Sequence, residues 1–283
     1  MPSQREIRRR IGSVRNIKQI TRAMQFVAAS KLKRVQDAAL QARPYSEKLD
    51  EVLADVASVL SGEDHPLLAR REGGTRLVVV FTTDRGLAGS LNTNTIRFAL
   101  HEMLAHKGDL KVVTVGRKGQ AAMRRAGAQI AASFEGFGDR PTFASVLPLA
   151  RLVTDDYLDG TYSAIDLAHP AFVSTLNLRP TMTRLLPIVP SEDTAGVPGR
   201  QFIFEPSADA VLRELLPRYV ASRIFQAVLE LTASEQSAKM VAMRNATENA
   251  QELIEDLTLT YNKVRQTNIT REMIEIATGA TAS

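Results

Sequence analysis

Apolar residues recur at spacings of three and four over roughly residues 3–60 and again over 207–277, with no glycine-rich break in either run. That period predicts a long helix at each end of the chain. A narrow apolar stripe is buried only if the two helices pair, and the long connection between them favours an antiparallel pair with a globular domain inserted at one end. The period changes in the middle of the chain. Leu77–Phe81 and Leu110–Val115 are short β-branched runs, Gln129–Phe134 is a weaker one, and helical stretches separate them. This alternation predicts parallel strands with crossover helices. Thr161–Val173 and Thr181–Val189 read as further strands, Pro190–Arg200 as a loop, and Gln201–Phe204 as a last short strand. The expected division is a first helix over 1–60, a linker over 61–75, an inserted α/β domain over 76–206 and a second helix over 207–283.

The first helix fits a heptad. With Ile7 at d, the d series runs Ile7, Val14, Thr21, Ala28, Val35, Ala42, Leu49 and Val56. The a series is poorer, with Lys18, Gln25, Ala39 and Ser46 among Ile11, Leu32, Leu53 and Leu60. Seams favour apolar residues at both positions, so the packing line is expected to drift toward Ile17 and Met24. The second helix carries alanine at every fourth position, Ala238, Ala242, Ala246 and Ala250, continued by Leu253, Leu257, Tyr261 and Val264. Alanine permits close approach of a partner helix. Ser207 is the expected N-cap. Pro217 predicts a kink or break near Leu212–Leu216, and Pro44 a bend in the first helix. At about 1.5 Å per residue the helices would span roughly 80 and 100 Å, the second overhanging at its C-terminal end.

The chain has 283 residues, 44% of them apolar, which suffices for a folded core. It contains no cysteine, which excludes disulfides and thiol sites. The four histidines, His65, His101, His106 and His169, form no HxxxH pair, so no metal site is expected. No apolar run approaches the ~20 residues of a membrane-spanning helix. The Arg-rich opening could pass for an organellar leader, but its apolar period continues into the helix and is read as mature structure.

Net charge is +5, unevenly placed. Arg5, Arg8, Arg9, Arg10, Arg15, Lys18, Arg22, Lys31, Lys33, Arg34 and Arg43 face only Glu6 and Asp37 in the first 43 residues, whereas acidic residues outnumber basic ones after Asn245. A basic first helix beside an acidic second one would draw an acidic partner. Nucleic acid is the competing reading, but tryptophan is absent and no aromatic residues interleave the cations as a base-stacking platform requires.

Two glycine-bearing turns, Asp84-Arg85-Gly86-Leu87-Ala88-Gly89-Ser90 and Gly116-Arg117-Lys118-Gly119, lie between a strand and a helix. Neither fits a dinucleotide or phosphate-loop signature, and tight-turn geometry explains both. Asp155-Asp156 sits in a predicted helix without an acid or base partner, and no catalytic constellation is visible.

The segments Glu6-Ile7-Arg8, Ile20-Thr21-Arg22-Ala23-Met24 and Val27-Ala28-Ala29-Ser30-Lys31 closely resemble the gamma subunit of the F-type rotary ATP synthase. So do Asp84-Arg85-Gly86-Leu87 with Leu91-Asn92, Ala233-Ser234-Glu235-Gln236 through Met240-Val241-Ala242-Met243, and Tyr261-Asn262-Lys263-Val264-Arg265-Gln266 with Ile269-Thr270. These blocks span nearly the whole chain in order. The resemblance implies an α/β plus coiled-coil fold, an antiparallel pair of long N- and C-terminal helices with an inserted Rossmann-like α/β domain. It implies the rotating central stalk, which couples proton flow through the membrane c ring to ATP synthesis or hydrolysis at the alpha/beta ring and helps regulate ATPase activity.

The chain itself is then expected to be non-catalytic and to need no cofactor. Its expected partners are the alpha and beta subunits of the catalytic hexamer, the epsilon subunit and the c-subunit ring, with one copy per complex, no nucleic acid and no transmembrane insertion. The expected location is peripheral, on the cytoplasmic face of a bacterial plasma membrane. Met24, Arg265, Gln266, Thr270 and Glu272 match the family's contacts to the catalytic ring. Arg8, Arg9, Arg10, Lys18, Arg22 and Lys31 match the basic shaft face, and Phe204 and Glu205 the foot on the c ring. Ala88 stands where many relatives carry cysteine. The cysteine-bearing redox segment of plant chloroplast members is absent, Pro217 departs from the usual helix former, and the lack of a presequence points to a bacterial source.

Overall fold

The computed structural model describes residues 3–59, 65–189 and 207–281. The element order is α1 (Gln4–Val59), β1 (Arg76–Phe81), α2 (Leu91–Ala105), β2 (Leu110–Val115), α3 (Arg117–Arg125), β3 (Ile130–Phe134), α4 (Phe143–Leu158), β4 (Ala164–Phe172), β5 (Leu178–Leu186) and α5 (Ala208–Thr281). Long helices at both ends thus enclose an α/β segment. The predicted strand Gln201–Phe204 and the loop Pro190–Arg200 lie outside the described residues. The chain divides into two compact units, Met1–Ala29 with Lys239–Ser283, and Ser30–Ala238.

The first unit is an antiparallel pair of helices. Gln4 Nε2 donates to the Tyr261 hydroxyl at 3.0 Å, Lys18 Nζ to Gln251 Oε1 at 2.6 Å, and the Thr21 and Thr247 hydroxyls meet at 2.7 Å. Numbers rise along α1 as they fall along α5. Gln4, Ile7, Ile11, Val14, Lys18, Thr21, Gln25 and Ala28 are all buried or half-buried. This is an unbroken alternation of three- and four-residue steps. The drift toward Ile17 does not occur, for Ile17 is 52% exposed, while Met24 is half-buried beside Gln25. The physical reason is that Lys18 and Thr21 find polar partners across the seam, so their burial needs no change of register.

The α5 stripe needs correction at Leu253, whereas Ala238, Ala242, Ala246 and Ala250 are each buried or half-buried. Met243, Thr247, Ala250, Ile254, Leu257, Tyr261 and Val264 lie inward, again in three–four alternation, while Leu253 is exposed. An every-fourth-residue ladder rotates off a helix face, whereas a 3.5-residue average stays on it. Ala242 and Ala246 are half-buried flanks of this line.

In the second unit, strands ordered β3-β2-β1-β4-β5 form one sheet. The first four are mutually parallel, and β5 returns antiparallel to β4. One face, with Val78, Val80, Val112 and Ala168, packs against Ala99 of α2 and Met123 of α3. The other, with Leu77, Val79, Phe81, Val113 and Ile165, is covered by Val146, Leu149 and Val153 of α4. Leu49 and Leu53 of α1 and Leu212, Leu216, Val220, Ile224 and Val228 of α5 join the same core. Strands buried on both faces explain why the central runs are continuous β-branched sequence rather than alternating.

Within the stretch expected as linker, Leu67 and Leu68 are buried in that core, and the Leu67 carbonyl accepts from the Ile188 amide at 2.9 Å. Ser207 caps α5, its hydroxyl accepting from the Ala210 amide at 3.2 Å. The helix runs through Pro217 without the expected break, and α1 runs through Pro44. Both prolines are exposed, so each ring stands on the solvent side of its helix.

Candidate functional site

Open parallel sheets of this kind bind ligands beyond the carboxyl ends of the strands, where the strand order reverses; here that point lies between β1 and β4. The chain fills this crevice with its own side chains. Phe172, at the end of β4, packs among Leu32 and Val35 of α1 and Leu229 and Ala233 of α5. The Ser234 hydroxyl donates to the Pro170 carbonyl at 3.4 Å and that of Ser237 to the Thr175 carbonyl at 2.7 Å. His169 lies edge-on to Phe81, with Nδ1 3.4 Å from Glu230. Beyond β3, Asp139 accepts from Lys31 Nζ at 2.6 Å and from Gln236 Nε2 at 3.1 Å, so one carboxylate grips both long helices.

The helix N-terminus that could hold a phosphate is likewise occupied. The first three amides of α3 donate to the segment following β1: Arg117 to Asp84 Oδ1 at 3.1 Å, Lys118 to the Thr83 carbonyl at 3.2 Å, and Gly119 to Thr82 Oγ1 at 2.7 Å. These are the orphan donors that attract anions in nucleotide-binding folds. Asp84 also accepts from the Gly136 amide at 3.0 Å, joining the loops after β1, β2 and β3. Gly116 is required here, since it holds φ +88° and a Cβ would stand 2.1 Å from the Thr82 carbonyl oxygen. Asn92 completes the motif by accepting from the Thr83 amide at 3.0 Å and donating to its hydroxyl at 2.8 Å. The glycine turns are therefore structural, and Asp84-Arg85-Gly86-Leu87 with Leu91-Asn92 is a loop lock.

The Asp156 carboxyl is pushed above the ordinary carboxylate range by burial and then by its neighbours Asp159 and Asp155. Burial near a helix end is the larger cause, and the like charges add to it. Among the described residues no group of three His, Asp or Glu stands together as a metal site, and no helix is long and apolar enough to cross a membrane.

The predicted contact residues divide by environment. Arg8, Arg9, Arg10 and Arg22 are exposed, with Arg10 3.5 Å from Glu6. Lys18 and Lys31 depart from the expected basic face, being turned inward and spending their charges on Gln251 and Asp139. Partly buried ammonium groups of this kind are favoured where a partner is fixed opposite. Arg265, Gln266, Thr270 and Glu272 are exposed on the last third of α5, and the Thr270 hydroxyl donates to the Gln266 carbonyl at 2.9 Å. Met24 is half-buried; Phe204 and Glu205 lie outside the described residues.

Residue patterns did not single out the large exposed apolar side chains of the first unit. Ile20, Phe26 and Val27 on α1 and Leu259, Met273, Ile274 and Ile276 on α5 each leave more than half their surface open to solvent. The signal was present, because each falls off the heptad line, but it is read only once that line is known. These side chains leave apolar surface in solvent on both helices of the pair.

The family model for ATP synthase matches residues 3–282. An ATP synthase gamma chain of Pelotomaculum thermopropionicum is 44% identical over 282 residues, covering 100% of this chain and 99% of the relative. One of Roseiflexus sp. is 46% identical over 292 residues with the same coverage. Among solved structures, a chain of the Euglena gracilis mitochondrial ATP synthase aligns with a TM-score of 0.66 at 19% identity, over 99% of this chain and 94% of that one. A chain from the Tetrahymena thermophila mitochondrial ATP synthase central stalk and c-ring aligns with a TM-score of 0.62 at 24% identity, over 80% and 99%. At those identities the structures share the fold. The sequence relatives, similar along their entire length, establish that this chain belongs to the gamma-subunit family of the F-type ATP synthase.

Proposed function

We propose that the chain is the rotating central stalk of a proton-driven ATP synthase, non-catalytic itself, which passes rotation of the membrane c ring to the alpha/beta catalytic ring. One observation carries this reading beyond family membership. The paired helices of the first unit hide polar groups in their seam while leaving Phe26, Val27, Leu259 and Ile276 in solvent. A surface of that kind is built to be covered. Its charges are uneven as well, with exposed arginines on α1 opposed by Glu248, Glu252, Glu255 and Asp256 on α5. A partner's equilibrium shifts only when its two states are contacted differently. A rotor whose sides differ supplies that difference at each of three neighbouring catalytic subunits in turn.

In this reading Met24, Arg265, Gln266, Thr270 and Glu272 touch the catalytic ring, Arg8, Arg9, Arg10 and Arg22 face acidic segments of beta, and Phe204 and Glu205 meet the c ring. The epsilon subunit sits beside the α/β domain. The complex lies on the cytoplasmic face of a bacterial plasma membrane, with one copy of this chain in each. The filled crevice and occupied α3 N-terminus support a domain that holds rather than reacts. Mixing the purified chain with an alpha/beta hexamer tests the proposal. The chain alone should hydrolyse no ATP, should co-purify with the hexamer and should change its ATPase rate. Failure to co-purify rejects the reading.

A further inference from the structure

A second concentration of charge lies at the amino ends of β1 and β4. Asp166, 3% exposed at its side chain, holds two guanidiniums: Arg76 Nε at 2.5 Å and Arg184 Nε at 2.6 Å. Arg184 is its cross-strand partner on β5, and Arg76 NH2 also reaches the Met182 sulfur at 3.5 Å. Arg71 is fixed beside them, NH1 donating to the carbonyls of Tyr157 at 2.5 Å and Tyr162 at 3.1 Å, with its guanidinium 4.4 Å from the Tyr157 ring centroid. Arg70 is exposed next to it. These four arginines line one cleft of about 580 Å³, whose described wall carries two carboxylates, Asp166 and Glu102.

Keeping Asp166 buried requires a paired cation, and its two guanidiniums meet that need. Arg70 and Arg71 are surplus to it, so among the described residues the lining keeps a net charge of +2, four cations less two anions. Each guanidinium has five N–H donors, and the contacts named occupy at most two on Arg71, Arg76 and Arg184. Three of the four are held by buried groups before any ligand arrives. Rigid guanidinium forks suit planar and tetrahedral oxyanions better than flexible ammonium groups do.

We infer that this cleft binds a phosphate group, with Arg70 and Arg184 as its direct ligands and Arg71 and Arg76 fixed behind them. The phosphate belongs either to a free anion or to the headgroup of an anionic lipid. The inference is independent of the stalk reading and stands or falls without it.

The test uses the full chain in two arms, calorimetric titration with inorganic phosphate and flotation with phosphatidylglycerol-containing vesicles against phosphatidylcholine alone. R70Q removes an exposed side chain, R184Q removes a ligand tied to Asp166, and R97Q on α2 outside the cleft is the control. Saturable phosphate binding that R70Q weakens about tenfold or more and R97Q leaves unchanged identifies a free-anion site. Binding confined to phosphatidylglycerol vesicles, with the same dependence on the variants, identifies a lipid headgroup. Absence of both, indifference to R70Q, or equal loss in R97Q overturns the inference. If R184Q lowers thermal stability, R70Q alone decides.

Discussion

Gly116 ties the loop after β2 to the end of β1, and nothing larger fits there. Its φ of +88° and the 2.1 Å that would separate a β-carbon from the Thr82 carbonyl oxygen act together. Gly116→Ala is expected to cost about 3 kcal/mol, read as a lowered midpoint in thermal or denaturant unfolding. Asp50 is a different case. Burial raises its carboxyl above the ordinary range, Arg223 at 2.8 Å offsets part of that, and Glu47 adds to it. A folded-state pKa above the unfolded one means that folding favours the protonated form, so stability from this residue increases as pH falls through the folded pKa. Asp50→Asn should therefore raise the melting temperature near neutral pH, and the gain should vanish in acid, once Asp50 is protonated. Melts across that range decide it; a gain that grows in acid would contradict the assignment. Gly116 was visible in the sequence as part of a turn and Asp50 was not, but the constraint on each was hidden, because the neighbours that impose it lie 34 and 173 positions away.

At the level of elements, the strands were legible because their runs are β-branched and buried on both faces, as Leu77–Phe81 and Leu110–Val115 show. The heptad of α1 was legible too. What misled was the assumption that Lys18 must leave the seam, when Gln251 stands opposite it at 2.6 Å. A cross-helix partner far away in sequence is invisible to periodicity. Leu67 escaped for a similar reason, since a short turn reads as linker until the sheet it packs on is present. Polar residues inside a helical seam fix register at a cost in stability. The double substitution Lys18→Leu with Gln251→Leu is expected to stabilise the chain by about 1 kcal/mol. Lys18→Leu alone, which takes the Lys18 donor from Gln251 Oε1 and sets an apolar side chain against it, should not. Far-UV circular dichroism melts of the two variants separate these outcomes.

At the scale of the whole molecule, family membership was readable from the motif blocks, whereas the contact residues follow from surfaces that only a partner completes. Arg8, Arg9 and Arg10 are exposed, and reversing all three to Glu should change the stability of the isolated chain by less than about 1 kcal/mol. Association with the alpha/beta hexamer at low salt should weaken at least about tenfold, measured by co-sedimentation. Comparable losses of stability and association would place these residues in the fold instead. The grip of Asp139 on Lys31 and Gln236 has a mechanical consequence. Two helices joined only along a seam can slide past one another when one alone is twisted. An α/β domain whose loop is clamped to both at one level loads them in parallel, so torsion entering through it is shared there between α1 and α5.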